Sequence, residues 1–314
     1  MHVHLEGTAP PGLIRRLAER NGLPVPEGVL DLADRFVFTD FLDFLRTYDR
    51  AASVIRTGED YRDITYEYLA SCAREDAIYV ELIASPDHAR LAGLSDEEHL
   101  DGIGRGIDDA RRDFGIDARI LISCVRNFGV EPALRVARHA AERPHPYVVG
   151  FSMAGDEENY PPGAYAEAFR IAAEAGLGCS VHAGEWAGPE SVREALELPV
   201  SRIGHGVRSI EDPELVEELA GRGMVLECCP TSNVVLGLYP TYEEHPLPRL
   251  AEAGVRVTLG SDDPPYFGAS IGGEYEVCRD RFGFGEERLA ALTRTAIEAA
   301  FCGEGLKQGL MERV

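Results

Sequence analysis

The sequence has few basic residues for its length. Lys and Arg together number 31 against 54 Asp and Glu, which leaves a formal net charge of −23. A surface of that sign repels phosphate backbones and anionic lipid. We therefore do not expect a nucleic-acid polymer as substrate, whereas a small neutral nucleoside or base remains compatible with the charge.

The sequence also lacks the marks of disulfide bonding, secretion and membrane insertion. Its seven cysteines are odd in number and include no C-x-x-C pair, which predicts free thiols in a reducing compartment. The opening residues, MHVHLEG, do not combine a basic region with an apolar stretch. No apolar run approaches the ~18 residues that a membrane-spanning helix needs. We expect a cytoplasmic protein that makes no membrane contact.

Short apolar runs alternate with helical patterns along the chain. Amphipathic stretches such as 164–175, 189–197 and 212–222 predict helices. Buried strands that alternate with helices form parallel sheets, and eight such units favour a closed (β/α)8 TIM barrel over an open doubly wound sheet. We predict one α/β domain over residues 1–314. The predicted strands are residues 1–6, 77–84, 118–125, 147–154, 177–184, 200–205, 224–229 and 255–261.

A long connection separates the first predicted strand from the second. It contains helical patterns at residues 10–21 and 41–52 and a further one near 60–74. Connections of this length are usually functional. We interpret residues 25–60 as a helical insertion over the barrel mouth that could serve as a lid.

Polar residues cluster where the predicted strands end, which is the rim that holds the active sites of α/β barrels. Several of them are histidines and carboxylates, a composition typical of metal sites. Taken alone, each motif has a structural explanation, such as a turn or a hydrogen-bonded histidine. Their joint occurrence at strand ends favours a site. The residues are His2, His4, His182, Glu185, His205, Asp262 and Asp263.

His2 and His4 lie two positions apart, so on a strand both imidazoles point the same way. Three imidazoles and a carboxylate suit Zn²⁺ and leave a position for water. Zinc lowers the pKa of bound water from about 15.7 to about 7. The remaining carboxylate and imidazole could then move protons. The other histidines are expected at the surface or in packing, at positions 88, 99, 139, 145 and 245.

In combination, the motifs HxHLEG, GDE, HAGE, RIGHG, CPTSN and SDDPPYFG resemble the adenosine/adenine deaminase family of the amidohydrolase superfamily. The resemblance runs from His2 to at least Tyr275. It implies a (β/α)8 barrel with one zinc ion per chain, in agreement with the strand count.

The resemblance also implies a role for each motif residue. Glu185 would protonate N1 of a purine, His205 would act as base and orient the hydroxide, and Asp263 would hydrogen-bond N7. The backbone N–H of Gly155 would meet N3. Water would add at C6 and ammonia would leave. The residues expected to bind zinc are His2, His4, His182 and Asp262.

The substrate is less clearly indicated, because the features are mixed. Gly155 within Ala-Gly-Asp-Glu and Gly204 before His205 resemble adenosine deaminases. Glu6 replaces the Asp that adenosine deaminases usually use to hold the ribose 5′-hydroxyl, and the run 263–268 looks like adenine deaminases. We predict deamination of adenosine, with 2′-deoxyadenosine as a further substrate. Adenine and aminodeoxyfutalosine are the alternatives.

Three other classes of protein fit the sequence less well. A purine-binding barrel without activity would be expected to lack at least one of the motif residues, and all are present. Two-metal amidohydrolases mostly use a Lys on the fourth strand, but residues 147–155 contain none. Cytidine-type zinc deaminases need a P-C-x-x-C motif, which is absent from the sequence.

Overall fold

A computed structural model describes all 314 residues and contains one seven-stranded sheet. Each strand pairs with the next one in the chain, and every pair is parallel. The predicted parallel α/β architecture is therefore confirmed. The strands are β1 Tyr79–Ala84, β2 Asp117–Val125, β3 Val148–Ala154, β4 Gly178–Ala183, β5 Arg202–His205, β6 Val225–Cys228 and β7 Arg256–Leu259.

The N-terminal segment lies against both edges of this sheet. Two isolated parallel bridges join Val3 to Asp262, just after β7, and His4 to Ile83 in β1. The His4 N–H donates to the Asp262 carbonyl at 3.0 Å, and the Ile83 N–H donates to the Val3 carbonyl at 2.8 Å. The segment thus connects the first and last strands and gives the sheet its curled, TIM-barrel-like form.

The prediction of eight regular strands is wrong by one. The first predicted strand, residues 1–6, forms only those two bridges, because a 3-10 turn at Glu6–Thr8 ends the extended conformation. The other seven predicted strands are confirmed within a few residues at each end. A turn this close to the start leaves too few extended residues for a regular ladder.

Helices follow the strands as predicted, and local signals explain several of their ends. Thr57 and Asp60 form a capping box at the start of α3, and Gly115 ends α5 in the left-handed conformation at φ 70°. The helices are α1 Pro11–Arg20, α2 Phe41–Ala52, α3 Gly58–Arg74, α4 Pro86–Leu91, α5 Asp96–Phe114, α6 Val130–Glu142, α7 Ala166–Glu174, α8 Pro189–Leu196, α9 Pro213–Arg222, α10 Pro230–Val235, α11 Leu247–Glu252, α12 Pro264–Phe267, α13 Ile271–Asp280, α14 Glu286–Ala299 and α15 Glu304–Met311.

Aromatic contacts join the segment before β1 to α12 and to the loop after β4. The ring of Phe36 stacks on Tyr266 with centroids 3.8 Å apart, and Phe41 stacks on Trp186 at 4.8 Å. Helices α1, α2 and α3 occupy this part of the chain. The description of residues 25–60 as an inserted lid stays a prediction.

The seven cysteines are free thiols, as the sequence predicted. All seven cysteines are buried and unpaired. Burial raises the pKa of the Cys124 thiol to about 12, which keeps it protonated. None of the helices has both the length and the apolar character needed to cross a membrane.

Candidate active site

Four of the predicted site residues converge at the carboxyl end of the sheet. His2 and His4 lie on the N-terminal segment, His182 lies in β4, and Asp262 follows β7. Their nearest ligand atoms all lie within 4.8 Å of one another. The His4 Nε2 atom is 3.2 Å from His182 Nε2 and 3.3 Å from Asp262 Oδ1. Residues separated by 260 positions thus meet at one point.

Hydrogen bonds on the far side of two imidazoles orient them toward this point. The Nδ1 atom of His2 lies 2.8 Å from the Glu227 carboxylate, and Nδ1 of His182 lies 2.9 Å from the Met153 carbonyl. Both partners are acceptors, so each Nδ1 carries the proton and each Nε2 keeps its lone pair. The buried Nε2 of His2 has no hydrogen-bond partner. These donors therefore fit a divalent cation such as Zn²⁺.

The Glu227 carboxylate that holds His2 belongs to a buried network of ion pairs, which was not predicted from the sequence. Glu227 lies 2.6 Å from the Arg202 guanidinium, which also lies 2.7 Å from Glu81. All three side chains are at most 1% exposed. Charged residues inside otherwise apolar strands are costly unless they are paired, so their presence in the sequence was a usable signal.

The backbone is strained at two of the predicted site residues. His205 has φ 58° and Asp262 has φ 59°, both in the left-handed region that residues other than glycine rarely adopt. Such conformations cluster at active sites, where the surrounding structure holds them. His205 is the last residue of β5 and Asp262 lies three residues after the end of β7, and both line the cavity.

Glu185 lies on the loop after β4, close to His205. Its Oε2 atom is 3.6 Å from His205 Nε2. Burial raises the pKa of Glu185 well above its usual range, and the Asp262 and Glu157 carboxylates act in the same direction. Such an environment favours the protonated, neutral form of a carboxyl group.

Glu157, the last residue of the GDE motif, organises the loop that carries Glu185. Its buried carboxylate accepts hydrogen bonds from four consecutive backbone N–H groups and one hydroxyl. No role was predicted for Glu157 from the sequence. The donors are the N–H groups of Gly184, Glu185, Trp186 and Ala187 and the hydroxyl of Ser191.

One cavity is lined by His4, His182 and Asp262 of this cluster and by the predicted substrate-binding residues Glu6, Gly155 and Asp263. Asp263 Oδ1 is buried without a hydrogen-bond partner, and burial raises the pKa of this carboxyl group. Gly155 has φ 109°, and a Cβ there would lie 2.2 Å from the Asn127 amide oxygen. Phe41 and other aromatic residues form the apolar part of the wall.

His88, which was expected at the surface or in packing, also lines this cavity. Its Nδ1 atom lies 2.8 Å from Ser85 Oγ, and its Nε2 atom lies 2.9 Å from Asp49 Oδ1. Ser85 also donates its backbone N–H to Glu6 at 3.1 Å. The position of Ser85 and His88 just after β1, at the same rim as the other site residues, was the signal that could have identified them.

The fold and this cluster define a class of protein, the TIM-barrel-like amidohydrolases. The crystal structure of an adenine deaminase from Arthrobacter aurescens matches with a TM-score of 0.93 and 31% identity, over 99% of this chain and 95% of that one. An amidohydrolase from Burkholderia ambifaria with bound Zn matches with a TM-score of 0.88 and 26% identity, over 98% and 86% of the two chains.

Sequence comparison identifies the family. The adenosine deaminase family model matches residues 1–314. The chain is 48% identical to the adenine deaminase of Chelativorans sp. (strain BNC1), over 100% of this chain and 96% of that protein. The chain therefore belongs to the adenosine/adenine deaminase family, as its motifs predicted.

Proposed function

We propose that this protein is a zinc-dependent deaminase that converts adenine to hypoxanthine and ammonia. The observation that carries the proposal is the convergence of three imidazoles and the Asp262 carboxylate, two of those imidazoles and Asp262 lining one cavity with Glu185. When bound there by His2, His4, His182 and Asp262, Zn²⁺ would lower the pKa of water to about 7 and supply a nucleophile at neutral pH.

The protein's own groups would bind and activate the purine. Glu185, kept protonated by its buried position, donates to N1 and makes C6 more electrophilic. Asp263 and the backbone N–H of Gly155 hold the ring through N7 and N3. The aromatic wall excludes solvent, which strengthens these hydrogen bonds. Water adds at C6, and ammonia leaves.

The relatives support the alternative substrate, adenine, better than the predicted adenosine. The Chelativorans protein, at 48% identity, and the Arthrobacter structure, at 31%, are both named adenine deaminases. Full-length similarity to the first of them makes a shared substrate the simplest inference.

The surroundings of Glu6 favour a free base for a separate reason. Its carboxylate is 2% exposed and accepts hydrogen bonds from Ser85 N–H at 3.1 Å and Tyr48 Oη at 3.3 Å. The Tyr61 hydroxyl lies 3.4 Å away as a further donor. A carboxylate that three protein donors already share gains less from a ribose hydroxyl than a carboxylate without partners would.

Steady-state kinetics on the zinc-loaded protein test the proposal. We expect kcat/KM for adenine to exceed that for adenosine and aminodeoxyfutalosine by at least about 100-fold, a range that a site matched to one substrate commonly reaches. Ammonia release and zinc content would be measured on the same samples. A higher kcat/KM for adenosine would reinstate the substrate predicted from sequence.

The role of Glu185 has its own test. Glu185→Gln should abolish turnover while leaving zinc content unchanged, because the amide cannot transfer a proton to N1. Glu190→Gln, a change of the same chemistry at the nearby start of α8, serves as the control and should remain active. Full activity in Glu185→Gln would exclude the proposed proton donor.

A further inference from the structure

A chain of buried hydrogen bonds leads from a backbone amide to the imidazole of His205. The Leu247 N–H donates to His245 Nδ1 at 3.2 Å. His245 Nε2 lies 3.1 Å from Asn233 Oδ1, and Asn233 Nδ2 lies 3.3 Å from His205 Nδ1. His205, Asn233 and His245 are at most 3% exposed. Among the residues joined by these hydrogen bonds, only His205 has a part in the reaction proposed above.

The first link fixes the direction of the chain. A backbone N–H can only donate, so His245 Nδ1 must accept and carries no proton. Burial lowers the pKa of His245 to about 3, so its ring is neutral and its single proton lies on Nε2. That N–H donates to Asn233, which must therefore present its oxygen to His245 and its amide nitrogen to His205.

The last link fixes the proton of His205. An amide NH₂ group only donates, so Nδ1 of His205 accepts and the neutral ring carries its proton on Nε2. The Nε2 atom faces the cavity, 3.6 Å from Glu185 Oε2. This separation is too long for a hydrogen bond, which leaves the N–H free for a reacting molecule.

We propose that Asn233 and His245 are positioning residues that hold His205 as the Nε2–H tautomer, so that it donates a hydrogen bond to the attacking oxygen. The identity of that oxygen rests on the proposed function. A base at this position would need a lone pair on Nε2 instead. His205 is therefore an orienting donor and accepts no proton. Water whose pKa is lowered to about 7 would release its proton to solvent at neutral pH, and N1 gains its proton from Glu185.

The opposite tautomer has an energetic penalty. If the His205 proton moved to Nδ1, the Nδ1–H would face the Asn233 amide hydrogens. Two hydrogen-bond donors would then oppose each other in a buried site. An unsatisfied buried donor costs about 1–3 kcal/mol. Turning the Asn233 amide over would relieve that contact only by creating the same one at His245. Only one placement of the two imidazole protons and the Asn233 amide gives every hydrogen bond one donor and one acceptor. The network therefore specifies a single tautomer of His205.

Nitrogen NMR of the unaltered zinc-loaded protein tests the proposal directly. Protein labelled with ¹⁵N in its imidazoles would give the tautomer of each histidine from its two ring-nitrogen shifts, and the spectrum of His205→Asn would assign the signals. We expect a protonated Nε2 and an unprotonated Nδ1 in His205. The reverse pattern would overturn the proposal, whatever the substrate is.

A nearly isosteric variant tests the consequence for catalysis. In Asn233→Asp the carboxylate accepts from both neighbours, so His205 should switch to the Nδ1–H tautomer. We expect kcat to fall by about 10²- to 10³-fold, the usual cost of losing one donor to a reacting oxygen. KM should change little and zinc content should not change. A switched tautomer with unchanged kcat would also overturn the proposal.

Two changes at His245 separate positioning from packing. His245→Leu removes the donor to Asn233 and should lower kcat and mix the tautomers, whereas His245→Gln supplies an N–H near the same place and should restore most of the loss. His139→Leu is the matched control on α6, outside the cavity. Equal losses in the Leu and Gln variants would contradict a positioning role.

Discussion

Gly7 is a residue at which one added carbon would disturb the site. A Cβ there would lie 1.7 Å from Asp263 Oδ1 and 2.9 Å from Tyr48 Cε2. Gly7→Ala must therefore displace Asp263, and a displacement of about 1 Å typically costs about 100-fold in rate. We expect kcat/KM to fall by about that factor while zinc content stays the same.

Gly12→Ala is the control for that substitution. Its Cβ would meet nothing within 4 Å, and it lies in α1, where alanine is favoured over glycine. This variant should keep full activity and a melting temperature at least as high as that of the parent protein. Similar activity in the two variants would mean that the position of Asp263 does not matter.

Site residues could be predicted where they lie within short contiguous motifs. Motifs such as HAGE and SDDPPYFG identified residues that the structure brings together. The hydrogen-bond partners of His88 and His245 could not be predicted, because Asp49 and Asn233 lie 39 and 12 positions away. Gly204 was a misleading indicator of substrate, since a Cβ there would point at the His2 ring, 2.8 Å away, and not at a substrate.

At the level of single elements, the loop after β4 depends on the Glu157 carboxylate. Glu157→Gln keeps one acceptor oxygen but replaces the other with a donor, which would face N–H groups of the loop. We expect a loss of about 1–3 kcal/mol in unfolding free energy. The rate should also fall, because Glu185 lies on this loop.

Denaturant unfolding and kinetics at fixed zinc concentration would measure both effects. Glu158→Gln is the matched control, since that adjacent side chain is exposed. It should change neither stability nor rate. A Glu157→Gln variant as stable and as active as Glu158→Gln would show that the loop holds its shape without this carboxylate.

A second element, α13, contributes a pH-dependent contact through Glu274. Burial raises the pKa of Glu274 to about 8, although Thr231 N–H donates to it at 3.2 Å. Above the ordinary carboxyl pKa and below about 8, the folded protein keeps a proton that the unfolded chain has lost. Stability should therefore fall as pH rises through this window.

Glu274→Gln removes the titration but keeps an acceptor for Thr231. Its unfolding free energy relative to the parent protein should rise with pH across the window, by at most about 1.4 kcal/mol per pH unit. Glu276→Gln, an exposed change on the same helix, controls for the loss of charge. Parallel stability profiles for the parent protein and Glu274→Gln would rule out a titrating Glu274.

Element boundaries followed from sequence except at the chain's first strand. The seven strands of the sheet alternate with helices. Because this strand–helix unit repeats, the assignment of each strand supports the assignment of the other strands. Residues 1–6 have the same apolar alternation, but Glu6–Thr8 turns away in a 3-10 helix. Apolar periodicity could not reveal this turn, which Thr8 closes by donating its N–H and its hydroxyl to the Leu5 carbonyl at 3.0 and 2.7 Å.

For the whole molecule, the proposed metal site is also a structural crosslink. Its four donors come from the N-terminal segment, from β4 and from the residue run after β7. The N-terminal segment connects both edges of the sheet. A cation bound at this site would join that segment to β4, the middle strand of the sheet. Because the unfolded chain cannot gather these groups, metal binding should stabilise the entire fold.

Thermal unfolding of metal-free protein with added Zn²⁺ measures this coupling. At free zinc about 100-fold above Kd, the stabilisation is about 2.7 kcal/mol. In a domain of this size it should raise Tm by roughly 5 °C. His182→Ala should lose most of that rise, because it removes a donor, whereas His145→Ala, a partly exposed histidine paired with Asp101, should keep it. An equal rise in both variants would place the zinc that stabilises the fold somewhere other than the His2, His4, His182 and Asp262 cluster.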